Sequence, residues 1–276
     1  MALGSHSPLL IDGSLTTKIV QNALDRFARG YPLDKHATGP GRGSAVLFLM
    51  GDCPSDGDQS PETCLILNKR SSKVRQPGDL CFPGGGLAPL KDRLIAAALG
   101  VWARFRPSPA NQIGSIHAKT FRLHLAAALR EAWEEIGLNP FSVQCLGYLP
   151  IQHLQFVDRR IWPIVARVKG RPDLKPNWEV ERIVPVALKD LLDISRYARF
   201  RPYIQYRDTT VPREGYPCFI YRDDVARELL WGATFRMVVD FLRIIFEFHV
   251  PAMENLPLIE GYLAPGYPVG DPTPSR

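Results

Sequence analysis

Arg130-Glu131-Ala132-Trp133-Glu134-Glu135-Ile136-Gly137-Leu138 is the stretch on which the fold turns. The helical period sets Glu131 three residues before Glu134 and four before Glu135, so three carboxylates project from neighbouring positions of one helix face. The remaining face, with Ala127, Ala128, Leu129, Ala132, Trp133 and Ile136, is apolar enough to seat the helix on a sheet. Gly137 supplies a left-handed cap. Crowded carboxylates repel one another, and hard cations such as Mg²⁺ or Mn²⁺ take oxygen ligands of this kind, usually together with oxygens of a phosphate-bearing substrate. The run therefore predicts a divalent-metal site. The competing reading is a solvated acidic face in which Arg130 pairs with Glu134 at i+4.

Upstream, Cys81-Phe82-Pro83-Gly84-Gly85-Gly86 ends an apolar segment in a glycine loop, where backbone can take positive φ and approach a ligand closely. Phe-Pro-Gly-Gly followed by a helix bearing Arg-Glu-x-x-Glu-Glu-x-Gly resembles the Nudix box, G-x5-E-x7-R-E-U-x-E-E-x-G-U with U apolar. The resemblance implies a Nudix fold of α/β (α+β) class, a mixed β-sheet sandwiched between helices. It also implies that Glu131 and Glu135 are inner metal ligands with Glu134 alongside, and that Arg130 orients a glutamate. Two departures stand out. About 31 residues are inserted between the glycine loop and the helix, and Arg122 falls where the box, counted back from Arg130, has its first glutamate.

The segment Leu65-Ile66-Leu67-Asn68-Lys69-Arg70-Ser71-Ser72-Lys73-Val74-Arg75-Gln76-Pro77-Gly78 is similar to the extra motif of the coenzyme A diphosphatase branch. Arg70, Ser71, Arg75 and Gly78 fit that motif, whereas Asn68 stands for its usual Thr and Gln76 for its usual His. Lys69, Arg70, Lys73 and Arg75 form a basic run suited to phosphate. Substrate contacts are accordingly expected at Arg70, Arg75, Gly84, Gly85 and Gly86. Asn177-Trp178-Glu179-Val180-Glu181 resembles a later strand of the branch and offers a fourth carboxylate, Glu179 or Glu181. Trp231-Gly232-Ala233-Thr234 resembles the start of its last helix. The expected activity is Mg²⁺- or Mn²⁺-dependent hydrolysis of a diphosphate in a nucleotide-type substrate, coenzyme A or an acyl-CoA first. Glu131, Glu134, Glu135, Arg130 and Glu179 form the catalytic set, with Glu131 or Glu179 as the base. Another nucleoside or prenyl diphosphate, or a binding module without turnover, are the alternatives.

Composition narrows the partners. The 276 residues carry a formal net charge of +6, which favours polyanions, and the basic residues are scattered without a helix-turn-helix, zinc-finger or RNP signature. A small-molecule diphosphate is expected rather than nucleic acid. Five cysteines without a C-x-x-C pair argue against a disulfide framework or zinc site and favour a reducing compartment. No apolar run spans a membrane and no secretory or peroxisomal signal is recognised, so a cytoplasmic location is expected.

The resemblance divides the chain into an extension with a helix (1–39), a Nudix domain (40–250) interrupted by the insertion 87–121, and a Pro-rich tail (251–276). Apolar periodicity predicts helices at 15–28, 94–105, 119–136, 188–194 and 223–248. It predicts strands at 45–50, 64–67, 80–82, 143–149, 162–168, 183–186 and 218–221. The insertion's apolar residues, Leu94, Ile95, Leu99, Val101, Trp102 and Phe105, are read as an added helix, a dimer contact or a lid over a substrate arm.

Overall fold

One ten-residue strand, Gly43–Asp52, is apolar on both faces from Ala45 to Met50 and sets the architecture. Ala45, Leu47 and Leu49 enter one core while Phe48 and Met50 enter another, so the strand must be covered from both sides. The computed structural model describes residues 17–30, 43–53, 62–100, 115–154, 159–170, 172–206, 209–212, 215–263 and 267. Its elements begin α1 (Thr17–Gly30), β1 (Gly43–Asp52), β2 (Thr63–Arg70), β3 (Leu80–Cys81), β4 (Gly84–Gly86), α2 (Pro89–Leu99), α3 (Ser115–Ile136), β5 (Val143–Tyr148), β6 (Gln152–Leu154), β7 (Arg159–Val168) and β8 (Val180–Ala187). They continue as the one-turn α4 (Leu188–Leu191), β9 (Tyr197–Tyr206), β10 (Thr209–Pro212), β11 (Tyr216–Arg222), β12 (Arg227–Leu230), α5 (Gly232–Phe246) and β13 (Leu258–Tyr262).

The central eight-stranded sheet has the order β3-β2-β1-β7-β5, with β4 beside β1, β6 beside β7 and β8 beside β2. It is mixed: β1 and β7 run parallel from Gly43 opposite Arg160 to Met50 opposite Arg167, and their neighbours pair antiparallel. Parallel neighbours require a long crossover, and the chain between β1 and β7 contains α3. That helix covers one face with Phe121, Leu125, Ala128, Leu129, Ala132 and Ile136, packed with Leu47, Leu49, Ile164 and Ala166. Ala126, Ala127, Ala128 and Ala132 are fully buried, and their small side chains let the helix lie close to the strands. On the opposite face α1 and α5 bring Val20, Leu24, Phe241 and Leu242 to Phe48, Met50 and Val165. The Phe48 ring sits 4.3 Å from Phe82 and 4.8 Å from Phe241, centroid to centroid.

The α/β sandwich expected from the sequence is present, and a second, five-stranded sheet adds to it, in the order β10-β9-β11-β12 with β13 on β9. Three of its strands replace other expectations. The helix predicted from residue 223 begins only at Gly232, because Asp223 Oδ1 accepts from the amides of Val225 at 3.0 Å and Ala226 at 2.8 Å and reverses the chain. Arg227–Leu230 can then pair back on β11, a tertiary choice that overrides helical propensity. The basic, aromatic stretch from residue 197 is β9, and the segment read as a Pro-rich tail contains β13, parallel to it. Two further differences lie around the insertion. The helix predicted at 94–105 starts at Pro89, a residue suited to the first helical turn, and residues 101–105 lie outside the described residues. Trp133, assigned to the buried face of the acidic helix, is 56% exposed, since the sheet side of α3 centres on Ala128, Ala132 and Ile136.

All five cysteines are free thiols, and among the described residues no helix is long and apolar enough to cross a membrane. Phe82, which joins the glycine loop to the aromatic cluster, is expected to be worth several kcal/mol. Phe82→Ala should lower the unfolding free energy by about 3–5 kcal/mol, read from urea denaturation.

Candidate active site

Glu135 is the carboxylate most deeply set in α3, 8% exposed, and its Oε2 accepts from the Gly84 amide at 3.2 Å and from Asn68 Nδ2 at 3.0 Å. One side chain thus joins the acidic helix to the glycine loop and to β2. Glu131 lies one turn earlier against Gly85, where a Cβ would fall 2.5 Å from its Oε1. A side chain at Gly85 would displace the Glu131 carboxylate from its place beside the loop. At Gly84 the restriction is backbone as well as space: φ is +153°, and a Cβ would meet Ala45 O at 2.3 Å.

The electrostatics of this cluster are those of an unneutralised acidic site. Burial pushes the Glu135 carboxyl up to about 8, and the fields of Glu131 and Glu179 add to it while the Gly84 hydrogen bond opposes it. Glu131 is raised by burial too, with Glu134 and Glu179 reinforcing the shift and Arg130 opposing it. The charge of Glu179 thus bears on both Glu131 and Glu135. Glu181, the other residue offered by that segment, turns away and pairs with Lys69 Nζ at 3.0 Å. The placement of Glu179 is local: the Asn177 side chain accepts from the Glu179 amide, while the Asn177 amide donates to Glu135 O and its Nδ2 to Glu134 O. Residue 177 thus caps the last carbonyls of α3 and sets Glu179 beside it.

Arg130 organises the opposite side. Its Nε lies 2.8 Å from Asp92 Oδ1, its NH1 3.0 Å from both Glu131 and Glu134, and its NH2 donates to Gly86 O at 3.0 Å. Asp92, fully buried on α2, also accepts from the Ala88 amide at 2.6 Å. Counting along the helix put Arg122 where the family pattern has its first acid. In space that acid is Asp92, six residues after Gly86, and the added length follows it. The sequence held the signal in the Gly86-to-Asp92 spacing, masked because the count from the helix side crosses the insertion.

Of the basic run, Arg70 is the member whose charge is felt at the site: it partly opposes the upward shifts of Glu135 and Asp79, and its Nε donates to Arg75 O at 2.7 Å. The Arg75 side chain is exposed, and Lys69 is engaged by Glu181 and Glu228, so neither is brought to the glutamates. The loop from Arg70 to Asp79 has an anchor that the sequence did not suggest. Tyr267 donates its hydroxyl to Asp79 Oδ2, Trp231 Nε1 donates to Asp79 Oδ1 at 3.0 Å, and the Gln76 amide donates to Tyr267 O at 2.9 Å. Gln76 takes a positive φ of 55° at that contact. Burial raises Asp79 to about 6, against the two side-chain hydrogen bonds.

The donor set suits a hard divalent cation. It consists of carboxylates that raise one another's pKa, and beside them the Asn68 Oδ1 is buried without a hydrogen-bond partner. Among the described residues no three His, Cys, Asp or Glu side chains form a ready-made cage, since Arg130 draws Glu131 and Glu134 toward itself.

No family model matches the chain. Over 171 residues it is 26% identical to the uncharacterized Nudix hydrolase NudL of Enterobacter sp., covering 62% of this chain and 69% of that protein. Over 187 residues it is 27% identical to the peroxisomal coenzyme A diphosphatase NUDT7 of Mus musculus, covering 66% of this chain and 64% of that one. Among solved structures, a Nudix hydrolase from Alicyclobacillus acidocaldarius is 18% identical with a TM-score of 0.38, over 55% of this chain and 81% of that one. The chain thus spans about two thirds of the length of the two curated relatives. Their sequence likeness, joined to the glycine loop and the Arg130–Gly137 run that the fold brings together, makes the chain similar to Nudix hydrolases, coenzyme A diphosphatase-like members among them.

Proposed function

We propose that the protein hydrolyses a diphosphate linkage in a nucleotide-type substrate, coenzyme A or an acyl-CoA first, in a reaction that depends on Mg²⁺ or Mn²⁺. The observation that carries this reading is the meeting of Glu131 and Glu135 with the Gly84–Gly86 loop, where Glu135 accepts from the Gly84 amide and Glu131 lies against Gly85. Glu135, Glu131 and Glu134 would hold the cation, which when bound neutralises the diphosphate and lowers the pKa of water. Arg70 supplies fixed positive charge beside Glu135 for the substrate's phosphates, and the backbone of Gly84 to Gly86 lets them approach closely. Glu131 or Glu179 accepts the proton of the attacking water. Water adds across the P–O–P bridge, its oxygen bonding to one phosphorus while the other leaves with the bridging oxygen. From coenzyme A this yields 3′,5′-ADP and 4′-phosphopantetheine. The coenzyme A preference is supported by the Arg70–Gly78 motif and by the name of the mouse relative. The alternative of a module without turnover rests on Arg122 and on the insertion; the pairing of Asp92 with Arg130 supports the hydrolase reading against it.

A Mg²⁺- or Mn²⁺-dependent assay on coenzyme A, ADP-ribose, NADH and a prenyl diphosphate tests the proposal. Coenzyme A should turn over, and turnover should stop with EDTA. A folded protein inactive on all four would overturn it.

Glu135→Gln should lower kcat by roughly 10²-fold or more, the scale of removing one electrostatic contributor at a reacting centre. Its effect on stability has the opposite sign. The Glu135 pKa is raised from its ordinary value to about 8 in the fold, so the folded state holds a proton that the unfolded state has released. Stability of the metal-free parent should therefore fall as pH rises from about 4.5 through about 8. The variant lacks that dependence, and urea melts at pH 5 and pH 8 should show it relatively more stable at the higher pH.

Asp92→Ala should cost about 1–3 kcal/mol, because it leaves Arg130 Nε and the Ala88 amide without their buried acceptor. Glu134→Ala, removing a half-exposed partner of the same guanidinium, should cost under about 1 kcal/mol.

A further inference from the structure

Arg122 breaks the family pattern, and it faces a groove that the proposed reaction does not use. Asp92 near the start of α2 meets Arg130 late in α3, while Gly100 beyond α2 lines the same groove as Lys119, so the two helices run antiparallel. Between them lies a groove of about 460 Å³ edged by Arg93, Lys119 and Arg122 and floored by Ala96, Ala97 and Leu123. Spacings of three and four residues put Arg93, Ala96 and Ala97 on one face of α2 and Lys119, Arg122 and Leu123 on one face of α3.

Three cations meet here without a carboxylate. Among the described residues none of Arg93, Lys119 and Arg122 takes part in an ion pair, whereas Lys69, Arg130, Arg167, Arg182, Arg196 and Arg201 all do. The concentration of charge is larger still in the sequence. Residues 87–122 hold Lys91, Arg93, Arg104, Arg106, Lys119 and Arg122 against a single acid, Asp92, in a chain whose formal net charge is +6. That acid is buried and already bound to Arg130. Like charges gathered on one groove raise its energy until an anion enters.

We propose that this groove is a second anion site, built by the insertion, which takes the phosphomonoester group of a small molecule. Two guanidinium forks and an ammonium match the oxygens of a phosphate dianion, and the Ala96, Ala97 and Leu123 floor receives the ring or chain that carries the phosphate. The volume is that of a small-molecule site, too small for an extended polymer. Arg122 lies eight residues before Arg130, about 12 Å along α3, so a ligand held there does not need Glu131 or Glu135. The phosphate belongs either to the diphosphate substrate, as an additional group remote from the bond cut, or to a separate phosphorylated molecule. The first source rests on the diphosphatase reading above; the site itself does not.

The test is calorimetric titration of the full chain in EDTA with inorganic phosphate and with adenosine 3′,5′-bisphosphate, for the parent, Arg93→Gln/Arg122→Gln and Glu135→Gln. Circular dichroism confirms that each is folded. Both ligands should bind the parent and Glu135→Gln alike and bind the double variant at least tenfold more weakly. Equal binding by parent and double variant, or a loss confined to Glu135→Gln, overturns the proposal. So does tighter binding of a 20-nucleotide RNA through the same two arginines without any saturable binding of phosphate or bisphosphate. Kinetics separates the two sources. A KM raised in the double variant for coenzyme A and unchanged for its 3′-dephospho form assigns the site to the substrate's own phosphate. Unchanged KM for both, with bisphosphate binding lost, assigns it to a separate molecule. If no diphosphate is hydrolysed, the titrations still decide the site, so its failure and that of the catalytic reading are distinct.

Discussion

One guanidinium holds the site together. Arg130 reaches Asp92 on α2, Glu131 and Glu134 on its own helix, and the carbonyl of Gly86 at the end of β4. The pair with Asp92 is buried, so the desolvation of two charges has to be offset by geometry, and the contacts to Gly86 O and the Ala88 amide provide it. Arginine suits the position because its planar fork serves three directions at once, which a lysine ammonium on a flexible stem does not.

This arrangement explains how a box interrupted by about 30 residues still closes. The family pattern places its first acid and its arginine eight residues apart, so an insertion between them would be expected to separate the two. Here α2 and α3 run antiparallel, and the added length leaves and returns at nearly the same point in space. Asp92 and Arg130 meet as though little had been added. Loop-closure entropy grows only slowly with length, so a long detour with its own helix costs little beyond a short one. What the detour must preserve is the register of β4 against β1, Ser44 opposite Gly86 and Val46 opposite Gly84, because that register aims the Gly84 amide at Glu135.

Much of the site was legible in the sequence because its elements are local. A three- and four-residue spacing on one helix fixes Glu131, Glu134 and Glu135, and a glycine triplet after Phe82-Pro83 marks a tight loop. The sheet strands near residues 45–50, 64–67, 162–168 and 183–186 read correctly for a similar reason, their buried faces being continuous in the chain. What escaped depends on partners distant in sequence. Asp92 was hidden because its role is defined by Arg130, 38 residues away. The choice of Glu179 over Glu181 is made by Lys69 and Asn177, and β12 was taken for helix because its propensity is helical while its pairing partner is β11. Tyr267 sits in a stretch rich in Pro and Gly whose composition says nothing of a contact with Asp79.

The same helix carries two opposed electrostatic problems at its two ends. Toward its C-terminus the glutamates raise one another's pKa, a repulsion that a cation relieves; toward its N-terminus Lys119 and Arg122 join Arg93 in a repulsion that an anion relieves. Helix termini do not account for the pattern, because acids are favoured at the N-terminal end and bases at the C-terminal end, the reverse of what α3 shows. The distribution therefore runs against the intrinsic preference of the helix. The mutual repulsion of like charges opposes folding in the ligand-free molecule, and tertiary packing of the Ala-rich face offsets it. Destabilising charge concentrated at two separate grooves, over a backbone held by apolar burial, is the arrangement expected where ligands of opposite sign complete the structure.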